Sequence, residues 1–213
     1  MEGRTHLAFG LAAGVGLACA SKNTDDVASL TLTIAVAAFG ALLPDIDEDG
    51  SLINNYIFPF TRRRSIRSFI LATLGVVAVL LWFLKNLPLW VLLAGIFAAA
   101  VAYVPHRTVT HSLLALGYVT AMMHFAAPSY TYAMMLGYAS HLLADSFTKA
   151  GVPLLWPYSV KFNFKKLGIQ VKSGGGVDRL IGSITLVLSA LGFVYLLGHI
   201  FYDQAVTAGW LER

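Results

Sequence analysis

The sequence predicts an all-α fold: a polytopic membrane bundle of about seven helices, with a metal site at the cytoplasmic helix ends. Three observations predict it. Of the 213 residues, 57% are hydrophobic and only 12% charged, roughly half the charge (about 25%) of a water-facing domain. The mean hydropathy of +0.71 is gathered into long apolar runs, and a helix satisfies its own backbone hydrogen bonds in lipid. Finally, His6, Asp45, Asp47, His106, His111, His141 and Asp145 stand at the edges of those runs. Ionisable groups there are costly unless paired or metal-bound.

The elements follow in order. Leu7–Ala20 is short and Gly-rich, like a packed membrane helix, and Thr5 can cap it. Ala18-Cys19-Ala20 has the form of a signal-peptidase site, but a single basic residue precedes the run, so it is read as a retained helix. Val27–Pro44 is long enough to span, and Pro44 ends it. Phe69–Leu84 and Leu87–Val104 form a pair around Lys85-Asn86. Leu113–Ala127, Tyr130–Leu143 and Leu180–Phe201 complete the set. Three runs (Leu7–Ala20, Leu113–Ala127 and Tyr130–Leu143) fall short of the ~20 residues of a span unless polar site residues extend one end.

Orientation comes from Lys and Arg in the connections. With the N-terminus cytoplasmic, the inner segments are 1–6, 45–68, 105–112 and 144–179, and they hold 12 of the 15 basic residues. Lys22, Lys85 and Arg213 remain outside. All seven candidate ligands fall inside. The pI near 9.2 is then loop charge beside anionic lipid, not a nucleic-acid stripe. One domain, 1–213, is expected, with 149–179 as a cytoplasmic interfacial loop. There Trp156, Phe162 and Phe164 alternate with Lys161, Lys165 and Lys166, a mixture suited to headgroups. The loop is long for a connection, as a lid or a surface-lying hairpin would be. Gly174-Gly175-Gly176 makes a turn before the last helix, and Cys19, the single cysteine, leaves no intrachain disulfide.

Four segments carry chemistry. In Ser140-His141-Leu142-Leu143-Ala144-Asp145, His141 and Asp145 lie four apart on one helix face, with Thr148 a turn further on. Such a pair chelates one ion, or the acid orients the ring. Pro105-His106-Arg107-Thr108-Val109-Thr110-His111-Ser112 is a turn in which Thr108 or Thr110 can cap the next helix, leaving His111 in its first turn. In Pro44-Asp45-Ile46-Asp47-Glu48-Asp49, Asp45 and Asp47 are the expected ligands, while Glu48 and Asp49 are expected to be solvated. His6 is the fourth element. His124 and His199 fall at the outer helix ends and serve as controls.

Thr5-His6, LLPDID at 42–47, HRTVTHS at 106–112 and GYASHLLADSFTKAGVPLLWP at 137–157 resemble the YdjM family. These are bacterial and archaeal inner-membrane proteins described as metal-dependent hydrolases, some of them named for an association with LexA. The His/Asp set is more remotely similar to that of zinc-dependent phospholipase C. This resemblance implies a multi-pass protein of the cytoplasmic membrane. It also implies metal roles for His6, Asp45, His111, His141 and Asp145, with His106 and Asp47 beyond that core set. It leads one to expect a Glu at the start of the last helix, where this chain has Asp178 before Arg179.

The expected function is hydrolysis of a phospholipid or lipid-linked phosphoester at the cytoplasmic interface, using one or two divalent ions, with zinc favoured by the imidazoles. The metal ligands would be His6, Asp45, His106, His111, His141 and Asp145. Asp145 or Asp47 would act as base. Arg107 would bind phosphate; Arg62, Arg63 and Arg64 are candidates for the same role, though an anchor at the inner face accounts for them as well. Two alternatives stand beside this reading. One is a non-enzymatic adaptor with a structural metal, its partner a LexA-like regulator by family resemblance only. The other is a metal-ion or solute transporter, whose ionisable groups would sit near the bilayer midplane.

Overall fold

The structure, a computed structural model, describes residues 1–21, 26–158, 160–168 and 170–210. Lys22 and Arg213, two of the three outer basic residues, lie outside the described residues, as does the side chain of Lys166. The described residues form eight α-helices, several of the connections carrying a short 3-10 turn: α1 Gly3–Ala20, α2 Val27–Leu42, α3 Leu52–Ile57, α4 Arg64–Lys85, α5 Leu89–Val101, α6 Leu113–Ala126, α7 Thr131–Ser146 and α8 Gly176–Thr207. Among the described residues the only extended pairings are two isolated bridges, Thr148 with Val171 and Val152 with Phe162. Segment 149–179 is thus tied to the bundle, further secured by Leu113 N–H donating to the Leu154 carbonyl.

Three helices are long and apolar enough to cross a membrane: α2 with its 3-10 extension (Val27–Asp47), α4 and α8. Large apolar side chains cover their outer faces, such as Phe83, 75% exposed on α4, and Leu188, 62% exposed on α8. Lipid accepts such faces, whereas water would drive them together. The apolar helices α5 and α6 have 13 and 14 residues, about 20 Å each against a hydrocarbon core of ~30 Å. The sequence pattern extends α5 to Val104, but the helix stops at Val101. Pro105 bars helical backbone at the residue before it, so the chain turns early into the connection that carries His106 and Arg107.

Close contacts fix direction and register. A Cβ on Gly182 would meet Thr5 and one on Gly192 would meet Val15, ten residues on in both chains, so α8 runs parallel to α1. Gly137 of α7 lies against the Ala37 carbonyl of α2, and four residues on, His141 meets the Ala41 carbonyl, so that pair is parallel too. Gly75 and Gly95 face each other across the antiparallel α4–α5 hairpin, which Asn86 closes in the left-handed conformation at the α4 C-cap. Without a hydrophobic drive between helices in lipid, this small-residue packing is what holds the bundle.

Polar groups pin the site end. Pro44 does not stop the chain outright: α2 tightens into a 3-10 turn, Leu43–Asp47, which needs no backbone donor at the proline. The Asn54 side-chain amide of α3 donates to the carbonyls of Ile46 and Glu48 and fastens that acidic turn. Asp49, expected to be solvated, is about half exposed and also pairs with the buried Arg67.

Candidate metal centre

Four helix ends bring the ligand candidates together. His6 comes from the first turns of α1, Asp45 from the turn after α2, His111 from the 3-10 turn before α6, and His141 and Asp145 from the last turns of α7. Thr5 does not cap α1; it lies inside the helix, and its hydroxyl donates to the Asp178 carbonyl of α8 at 3.4 Å. Neither Thr108 nor Thr110 caps α6. Ser112 does, accepting from Ala115 N–H, and His111 therefore precedes the helix. That frees Thr110 for another task.

Hydrogen bonds fix the imidazole tautomers. His141 Nδ1 lies 2.7 Å from the Ala41 carbonyl, which only accepts, so Nδ1 carries the hydrogen. Thr110 donates its one hydroxyl hydrogen to Asp47 Oδ2 at 2.6 Å. Toward His111 Nδ1, 3.0 Å away, it can then only accept, so that Nδ1 is protonated as well. Asp47 Oδ1 accepts from His106 Nδ1 at 2.8 Å. In its neutral form each of the three rings therefore presents an unprotonated Nε2. The Nε2 atoms of His111 and His141 face each other at 3.2 Å, with Asp45 Oδ1 3.5 and 3.6 Å away. Lone pairs and a carboxylate this close repel unless a cation lies among them.

The remaining donors complete the case. His6 stacks on His141 with ring centroids 3.7 Å apart. Its Nε2 is 3.2 Å from Asp145 Oδ1 but misaligned, and neither buried ring nitrogen has a hydrogen-bond partner among the described residues. Asp145 Oδ2 lies 3.8 Å from His111 Nε2 and 3.1 Å from Arg107 Nη2, and the Met1 amino group sits against Oδ1. Three overlapping groups could hold a metal ion: His6–Asp45–His141, Asp45–His106–His111 and His111–His141–Asp145. Donors on a tetrahedral ion with bonds of 2.0–2.1 Å stand about 3.4 Å apart, and the spacings here bracket that value. The residues fit a divalent metal.

Asp47 offers no donor to these groups; both its oxygens hold neighbours in place. Burial works against a charged His106, but its hydrogen bond to Asp47, with the charges of Asp47, Glu48 and Asp45, outweighs burial and raises its pKa. Arg107 has φ 58, a left-handed backbone that turns its guanidinium back onto Asp145. Such a conformation costs a non-glycine residue roughly 1–2 kcal/mol. His6, His111, His141 and Asp145 are buried, whereas Asp45, His106 and Arg107 keep 15, 25 and 19% of their side chains exposed. Those three, with Arg4 and Asn55, line a cavity of about 450 Å³ that gives access to the centre.

Other candidates lie elsewhere. Arg62, Arg63 and Arg64 are exposed and do not line that cavity; Arg64 reaches the Val104 carbonyl at 3.4 Å. Asp178 joins no potential metal group among the described residues. Its Oδ2 accepts from the backbone N–H groups of Glu2 and Gly174 at 2.9 and 2.8 Å, clamping α1 to the glycine turn before α8. His124 and His199 are also absent from those groups; His199 pairs with Asp203 at 2.9 Å. Thr110, Tyr138 (whose hydroxyl donates to the Thr110 carbonyl) and the Ala41 carbonyl support the site, roles that the sequence does not assign them. The threonine's place between the two histidines of HRTVTHS is a signal for this role, but the sequence reads it as a helix cap.

The YdjM inner membrane protein family matches residues 1–207. Inner membrane protein YdjM of Escherichia coli K12 is 41% identical over 83 residues, covering 36% of this chain and 41% of that protein. The YdjM protein of Shigella flexneri matches equally. Protein YvsG of Bacillus subtilis 168 is 32% identical over 100 residues, 44% of this chain and 58% of its own length. The chain thus spans about half the length of the curated relatives it matches. No solved structure matches it.

Proposed function

The chain belongs to the YdjM inner membrane protein family, and from that premise we infer a membrane-bound, metal-dependent hydrolase acting on a phospholipid or lipid-linked phosphoester at the cytoplasmic face of the inner membrane. The convergence of His111 and His141 Nε2 with the Asp45 carboxylate, 3.2–3.6 Å apart, carries this reading. His6, Asp45, His106, His111, His141 and Asp145 would hold one or two ions, and so imidazole-rich a set suits zinc. The bound ion supplies Lewis acidity, lowering the pKa of water and stabilising negative charge on phosphoryl oxygen.

The chain's own residues supply the rest. Arg107, partly exposed in the cavity wall beside Asp145, is placed to bind a phosphate with paired N–H donors. Where it is not engaged as a ligand, Asp145 would accept the proton of the attacking water and return it to the leaving oxygen as the phosphorus–oxygen bond breaks. Asp47, held by His106 and Thr110, positions rather than exchanges protons. Donors at helix ends, not mid-span, weigh against a transporter.

A second reading has its own observation. Tyr158 and Val160 in segment 149–179 are 73 and 72% exposed, a surface on which an adaptor could bind a LexA-like regulator. The test is metal analysis followed by phospholipid turnover in nanodiscs. His141→Ala is expected to lose both metal and turnover, and His124→Ala neither. Metal-loaded protein that cleaves no lipid phosphoester, yet binds a regulator through 149–179, would replace the enzyme by the adaptor.

A further inference from the structure

Two cavities line the seam between α1 and α8, and another, at the metal centre, adjoins its start. The polar cavity at the metal centre includes Glu2 and Arg4. A second cavity, about 570 Å³, shares both residues and adds Arg179 and Ser183. A third, about 310 Å³, shares Leu186 with the second and is almost wholly apolar, walled by Leu11, Val15, Ile34 and Phe193. The lining therefore changes from charged to hydrocarbon along two parallel helices. From Arg4 to Val15 the seam is about 16 Å long at 1.5 Å per residue, the depth of one leaflet of a ~30 Å hydrocarbon core.

We propose that this seam is a binding site for one anionic phospholipid, its headgroup at Arg4 and Arg179 beside the metal centre and one acyl chain in the groove between Leu186 and Phe193. The proposal rests on the reading of the centre as one that handles lipid, and it names the lipid's path. Two features argue for this occupant. At the headgroup level Arg4 and Arg179 outnumber Glu2, which pairs with Arg179 at 3.5 Å, and the net positive charge left there complements a phosphate. The apolar groove also adjoins the polar cavity at Leu186, so a single amphipathic molecule matches the whole track, whereas a partner helix would match only its lower half. Exposed Ala190 of α8 and Ala35 of α2 border the groove, and a bulky side chain at either fills it without disturbing the packed core.

The test uses full-length protein in nanodiscs of phosphatidylethanolamine and phosphatidylglycerol, doped with a phosphatidylglycerol carrying a diazirine midway along one acyl chain. Irradiation should place crosslinks on the groove faces of α1 and α8. Ala190→Trp should lower them about tenfold, a loss of roughly 1.4 kcal/mol in binding. Val187→Trp, which points away from the groove, should leave them unchanged. Ala35→Trp repeats the block from α2 should Ala190→Trp not fold, with metal content reporting the fold. Crosslinks spread evenly over α4 and the outer face of α8, or persisting in both folded tryptophan variants, would overturn the site. Seam crosslinks without turnover uphold the site while removing the hydrolase. Turnover of a water-soluble phosphoester with no seam crosslinks does the reverse.

Discussion

Asp47 engages both carboxylate oxygens, one with His106 Nδ1 at 2.8 Å and the other with the Thr110 hydroxyl at 2.6 Å. It thereby sets the tautomers of two rings at once. Asp47→Asn puts a donor where an acceptor is required, so metal affinity should fall about 10–100-fold, the usual cost of losing a partner that orients a ligand. Competition with a chromophoric chelator measures this, and an unchanged affinity would show that the carboxylate is dispensable. Arg107 offers a second residue-scale test, because its left-handed backbone at φ 58 suits glycine. Arg107→Gly and Arg107→Ala both lose the pair with Asp145, but the glycine variant should be the more stable by about 1 kcal/mol in denaturant unfolding. Equal stabilities would mean the strain is relieved elsewhere. The ligand letters themselves were legible in sequence, since His and Asp stand out in an apolar chain. Their supports were not: Thr110 reads as a helix cap, and the Ala41 carbonyl belongs to a residue with no polar side chain to notice.

At the scale of elements, α7 must lie close to α2 for His141 to reach the Ala41 carbonyl. A Cβ on Gly137 would stand 2.0 Å from the Ala37 carbonyl oxygen, a contact that backbone has to move to relieve. Gly137→Ala should therefore destabilise the protein by about 1–3 kcal/mol and lower its metal content. Gly16→Ala, with nothing within 4 Å, should do neither. Equal behaviour of the two variants in thermal unfolding and metal analysis would contradict the packing. The spans were readable as apolar runs, because lipid demands long uninterrupted hydrophobic stretches. Their ends were not, and the reason is local. Hydroxyls that read as caps at Thr5 and Thr110 bind Asp178 and Asp47 across the bundle, partners that no local pattern contains. The six-residue α3, with Asn54 and Asn55 at its centre, carries no apolar stripe long enough to reveal it.

For the molecule as a whole, the parallel packing of α1 and α8 requires the start of α1 and the start of α8 to lie on one side of the membrane. In a Cys19→Ser background, Ser173→Cys and Ala208→Cys should label from opposite sides of the membrane, Ser173→Cys from the cytoplasm. Labelling of both from one side would refute the arrangement that the basic residues suggested. The same architecture has a consequence for biogenesis. His6 meets Asp145 at 3.2 Å, yet about 140 residues separate them, and at ~5–20 residues per second the ribosome needs roughly 7–28 s to make that stretch. During that interval the newly inserted first hairpin brings His6 near Asp45 but without His141 and Asp145, its other neighbours at the centre. The two potential metal groups that include His141 are completed only once the seventh helix is made, so an ion held there would act as a latch on a chain already threaded through the membrane.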